Sequence, residues 1–195
     1  MPGIQSGSET ETETAEPAWA DEVIRFWFGE LSEAQWFKKS DAVDARIRDR
    51  FLALHARLVA EDGLGATTPR ALLAAVIVLD QFSRNMFRGD PRAYAADPIA
   101  RRLSRSVIER GMDTVMAKQE RLFLYLPFEH SEDAGDQLRS LKLTTALGNE
   151  EWTREATAHK VLIDRFGRFA HRNAILNRRS TPEEIEFLKE PMRWY

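Results

Sequence analysis

The sequence predicts an all-α protein of antiparallel helical hairpins stacked side by side. Apolar residues recur at three- and four-residue intervals along most of the chain, the spacing of one helix face. Helix starts with Ser, Thr, Asp or Asn beside Pro, and stops at Gly, cut the chain into helix-length pieces. No stretch between turn signals shows the two-residue alternation of a strand.

Residues 1–17 are rich in Ser, Thr, Glu and Gly and have almost nothing to bury, so they read as a disordered acidic tail. The remainder, 18–195, reads as one helical domain, a length that suits a single sizeable core. Residues 19–29 gather Val23, Ile24, Phe26, Trp27 and Phe28 into a buried first helix, and Trp36 and Phe37 form a short aromatic segment after it. Residues 41–62 carry Val43, Ile47, Phe51, Leu54 and Leu58 as an amphipathic stripe that Gly63 and Gly65 end.

Thr68 supplies a hydroxyl cap and Pro69 the first helical position of the next helix, which runs past Val76 and Leu79 to a stop at Gly89, Asp90 and Pro91. Asp97 and Pro98 repeat that start, and Gly111 closes the helix after Arg110. A shorter helix over 121–126 is expected to end near Pro127. Ser131 is expected to cap a helix reaching Gly148, with Glu132 and Asp133 in a first turn where the dipole favours acids. Asn149 opens a helix to Phe166 and Gly167, and Thr181 with Pro182 opens the last. The starts near 41, 69, 97 and 131 recur at about the interval of a two-helix repeat, without an internal sequence repeat.

The absence of cysteine excludes disulfides, thiolate metal sites and cysteine nucleophiles. Net charge is -3, and six of the acids lie in residues 1–22, which leaves the body near neutral. That balance gives no polyanion footprint, so no nucleic-acid partner is expected. No apolar run is long enough for a membrane span and no secretory signal opens the chain, so a cytoplasmic protein with no membrane partner is expected.

Three segments mix ionisable residues into otherwise buried stretches. The first holds Asp80, Gln81, Arg84, Asn85 and Arg88, with Asp80 and Arg84, and Arg84 and Arg88, each four apart on one helix face. The second holds Glu129, His130 and Glu132. The third crowds Arg165, Arg168, His171, Arg172 and Asn173 around Phe166 and Phe169. Buried polar groups need partners, so the three segments are expected to meet.

Each segment also has a plain structural reading. Asp80 and Arg84 suit an intrahelical ion pair, Ser131 with His130 a capped corner, and Arg165 with Arg168 a negative helix end. The functional reading is a concave polar pocket that grips a peptide or a small anionic molecule through Arg forks. An alternative is a metal-independent enzyme, with His130, His171, Glu129 or Asp80 as candidates for acid–base chemistry. A third is a closed polar network with no ligand. No metal site is expected, because Glu129, His130 and Glu132 lack a well-spaced partner, and no cofactor motif is present. Trp19, Trp27, Trp36, Trp194 and Tyr195 are expected to be covered within the monomer, with a homodimer contact as the alternative.

These motifs resemble a bacterial family known as domain-of-unknown-function family 924. The resemblance runs through Leu79 to Phe82, Arg84, Asn85 and Phe87 to Gly89, then Tyr125, Pro127, Phe128, His130 to Glu132 and Gln137. It resumes at His159, Arg165 to Arg168, His171 to Asn173, Ser180, Thr181, Glu184, Phe187 and Leu188. It covers about residues 20–190, with departures at Ser83, Ala170 and Asn177. Asn tolerates left-handed backbone, so Asn177 can keep a turn. The resemblance implies a tetratricopeptide-like, α-solenoid-type stack. It implies no reaction, substrate or catalytic residue.

Overall fold

A computed structural model describes residues 16–190, all helix, turn and loop with no strand among them. Helix α1 (Ala18–Ile24) runs on through a π-helical turn to Glu30, and α2 (Glu33–Phe37) follows. The 20-residue α3 (Asp41–Ala60) is capped by Ser40, whose hydroxyl accepts from the Val43 N–H. Helix α4 (Pro69–Val76) continues through a π-helical turn at Ile77–Phe82 into α5 (Ser83–Met86).

Then come α6 (Arg92–Ala95), α7 (Asp97–Glu109), α8 (Lys118–Glu129), α9 (Ala134–Thr145), α10 (Glu150–Phe166) and α11 (Pro182–Phe187). In sequence order, α7 packs on α8, α8 on α9 and α9 on α10, while α4 lies against α1 and α7, and α3 covers the 77–86 segment.

The main core surrounds the 71–79 run, buried along its whole length because helices flank it on all sides. Phe26, Phe51 and Phe82 meet with ring centroids 4.9–5.8 Å apart, and Trp27 packs edge-on against Phe82 and Phe123. Each such ring contributes on the order of 2–3 kcal/mol by leaving water. A second, smaller cluster of Leu162, Ile163 and Phe169 is joined by Phe166 and Phe187. Trp19 and Trp36 pack partly buried against the main core. Trp194, Tyr195 and almost all of the acidic tail lie outside the described residues.

The structure departs from the sequence reading at three boundaries. Helix α8 starts at Lys118 and passes through Pro127 to Glu129. The proline has no N–H to donate to the preceding turn, and the helix ends two residues beyond it. Asp133, not Ser131, caps α9 by accepting from the Asp136 N–H, while the Ser131 hydroxyl donates to the Asp136 carboxylate. Asp97 makes no cap bond at the start of α7. Its carboxylate is engaged elsewhere. Gly167 (φ 68°) and Asn177 (φ 53°) both take the left-handed conformation the sequence suggested.

Candidate functional site

Asp80 is the centre of the buried polar cluster. It sits on the π-helical turn with no exposure to solvent, and such turns recur where a helix must aim side chains for function. Its carboxylate is approached by three donors. Arg84 Nη1 lies 3.1 Å from Oδ1, His130 Nδ1 lies 2.9 and 3.0 Å from the two oxygens, and the Gln81 amide donates to Oδ2. Burial alone would raise the Asp80 pKa, but Arg84, His130 and Gln81 outweigh it and hold the carboxyl below its usual range.

Arg84 is divided between two acids. It donates 2.6 Å to the Asp80 backbone oxygen and makes a bidentate pair with Asp97 at 3.0 Å on both arms. The fork geometry matches a planar carboxylate, so both Asp97 oxygens are engaged. Asp97, which looked like a helix cap, is therefore the counter-ion of Arg84. Nothing in its local sequence separates the two roles.

His130 closes α8 and its ring is mostly covered, with 15% of the side chain exposed. Because Asp80 is ionised, the proton between them belongs to His130 Nδ1, and Nε2 is left with a lone pair. Burial lowers the His130 pKa, with Arg84 and Arg172 adding to the effect against Asp80. The ring is neutral at pH 7. Its Nε2 has no hydrogen-bond partner among the described residues, and the ring keeps the partial exposure noted above.

A second histidine and a second acid lie alongside. The His159 ring centroid is 6.2 Å from that of His130. His159 Nδ1 sits 2.9 Å from the Glu155 backbone oxygen, to which it donates, and 3.2 Å from Glu129 Oε1. Burial, then the neighbouring charges of Glu155 and Asp80, push Glu129 up to about 8. Burial, then His130, push His159 down to about 3. This contact therefore joins two neutral groups and is not an ion pair.

Arg172 forms the floor beside His130. Its guanidinium carbon lies 4.4 Å from the Phe169 ring centroid and 4.7 Å from that of Tyr94, and its Nη1 donates 3.0 Å to the His130 backbone oxygen. Burial, then Arg84, lower its pKa to about 10. His171 packs its ring on Phe169 at 5.6 Å, and burial, then Arg172, lower it to about 4.

The remaining sequence candidates fall into separate networks. Asn85 and Arg88 both bind Asp44 of α3, Arg88 through both carboxylate oxygens at 2.8 and 3.0 Å. Glu132 receives both arms of Arg178 and the Phe169 N–H. Arg168 pairs with Glu184 through two bonds of 2.6 and 2.8 Å, and Asn173 joins them. Arg165 pairs with Glu183 at the surface. So the structure brings Asp80, Arg84, Glu129, His130 and Arg172 together and spends Asn85, Arg88, Glu132, Arg165, Arg168 and Asn173 on holding other elements in place. His171 touches the edge of the cluster through Phe169.

Sequence reasoning missed Asp44, Tyr94, Asp97 and Arg178. Only Asp44 carried a signal, since it falls beside Val43 and three before Ile47 on the apolar stripe, where a lone acid needs a partner. Among the described residues, no group of three or more His, Cys, Asp or Glu is arranged to hold a metal ion, and no helix is long and apolar enough to cross a membrane.

The profile of a bacterial protein family of unknown function, DUF924, matches residues 23–192. A solved structure of a protein of unknown function from Agrobacterium tumefaciens is similar, with 39% sequence identity and a TM-score of 0.82. The similarity covers 89% of this chain and 98% of that one. No curated protein matches.

Proposed function

The chain belongs to DUF924, a bacterial family of unknown function, and on that premise we propose that it binds a small molecule at the partly exposed His130 edge of the cluster and accepts a proton from it. One observation carries the reading: an imidazole whose Nδ1 is fixed by a buried carboxylate and whose Nε2 has no partner among the described residues. A general base needs that tautomer, held still and within reach of solvent. The Asp80, Arg84 and Asp97 frame supports it by satisfying its own charges, so His130 is held without competing bonds.

The Arg forks expected to grip a ligand support this reading less. Arg84, Arg88 and Arg168 each hold a carboxylate of the protein itself. Polar groups gathered at one mostly covered histidine and flanked by rings suit a small molecule better than an extended peptide.

The test is a thermal-shift screen of small metabolites on wild type and His130→Gln, whose amide can still donate to Asp80. A compound at 100 times its dissociation constant stabilises wild type by about 2.7 kcal/mol. The reading requires that effect, and any turnover of the compound, to vanish in folded His130→Gln and to persist in Arg88→Met. Compounds that stabilise both variants equally would refute it.

A further inference from the structure

Arg172 is the guanidinium of this cluster with no directly bonded carboxylate; Asp97 and Glu132 act on it only through space. It is 6% exposed, yet it forms no ion pair with a described carboxylate. Asp80 is taken by Arg84, His130 and Gln81, Asp97 by both arms of Arg84, and Glu132 by both arms of Arg178. Arg172 spends Nη1 on the His130 backbone oxygen. Its Nε is buried with no partner, and Nη2 makes no hydrogen bond among the described residues. Burying a charge without a directly bonded counter-ion is costly, and a fork with unused N–H donors is shaped for a planar or tetrahedral oxyanion.

The two flanking rings fix where that fork points. Phe169 and Tyr94 both contact the guanidinium, which holds its plane, and the bond to the His130 backbone oxygen sets it beside the imidazole. We infer that Arg172 is the docking point for an anionic oxygen group of the ligand, a carboxylate or a phosphate, and that this group places the rest of the molecule against His130 Nε2. The inference rests on the small-molecule reading above and names its substrate class: a small acid with an exchangeable proton near its anionic group. The balance is simple. The anion stays ionised on Arg172, and the proton passes from the ligand to Nε2, making an imidazolium that Asp80 already faces.

The probes are acetate and inorganic phosphate, titrated separately into wild type, Arg172→Lys, Arg172→Gln and the distant Arg88→Met, with chloride matching ionic strength. The readout is the His130 ring resonance in NMR and its pH midpoint. Bound anion should shift the resonance saturably and raise the midpoint, because a negative charge nearby favours imidazolium over the opposing Arg84, Arg172, His159 and His171. Arg172→Gln should weaken the anion by about tenfold or more, Arg172→Lys by less, and Arg88→Met not at all. Whichever probe saturates at the lower concentration identifies the oxyanion.

A linear shift that chloride reproduces, or equal binding by wild type and Arg172→Gln, means an adventitious ion only and overturns the inference. Should Arg172→Gln fail to fold, the comparison of Arg172→Lys with wild type decides, with unchanged affinity counting against the proposal. The His130 tautomer is read in the same spectra. A protonated Nδ1 with no saturable anion binding sinks this inference alone, whereas a protonated Nε2 sinks the proton-acceptor reading as well.

Discussion

His130 Nδ1 lies 2.9 and 3.0 Å from the two carboxylate oxygens of Asp80, a residue fifty positions earlier in the chain. The contact ties the end of α8 to the π-helical turn that follows α4, so it fixes an imidazole and staples two core elements at once. Asp80 is fully buried and its charge is balanced by Arg84, which the second acid Asp97 shares.

Removing the carboxylate should therefore be expensive. Asp80→Ala leaves the guanidinium half-paired and Gln81 and His130 without an acceptor, and loss of one partner of a buried ion pair costs about 3–5 kcal/mol. Urea unfolding of the variant measures it. A loss below about 1 kcal/mol would mean the cluster is more hydrated and more adaptable than its burial indicates.

Glu129 predicts a pH dependence with a definite sign. Its carboxyl ionises at 4.5 in the unfolded chain and at about 8 in the fold. Between those values the folded protein holds a proton that the unfolded chain has released, so this group's stabilising contribution is complete at low pH and is lost as pH rises towards 8. Glu129→Gln removes the titration. Its stability relative to wild type should climb across that window and level off above it, as measured by unfolding at about pH 5, 6.5 and 8. A constant difference would show that Glu129 is ionised in the fold.

The Asp44 network should be separable from the site. Asp44→Ala strands Asn85 and Arg88 at the junction of α3 and α5 and should cost about 1–3 kcal/mol. Arg88→Met should cost less, because its side chain is 35% exposed. In both folded variants the His130 pH midpoint should match wild type. A shifted midpoint would mean that the two networks are coupled through the 77–86 segment.

The helices were legible because capping chemistry is local. Thr68 with Pro69, Asn149 and Thr181 each cap where the sequence placed them. Boundaries set by tertiary contact were not: Pro127 lies inside α8, and Asp97 turned from a cap into a counter-ion. The meeting of the buried polar residues was legible in part, since Asp80, Arg84, Glu129 and His130 are polar residues beside apolar runs. What the sequence could not supply was the pairing. Arg88, Arg168 and Arg172 look alike in the chain. Only the fold shows that the first two meet Asp44 and Glu184 while the third meets two rings and a backbone oxygen.

Long-range proton–nitrogen NMR of the four histidines at pH 7 tests the account most directly, because it reads which ring nitrogen of His130 carries the proton. The account predicts a neutral His130 protonated at Nδ1 with a bare Nε2, and loss of that preference in Asp80→Asn. A His130 that is charged at pH 7, or protonated at Nε2, would contradict it.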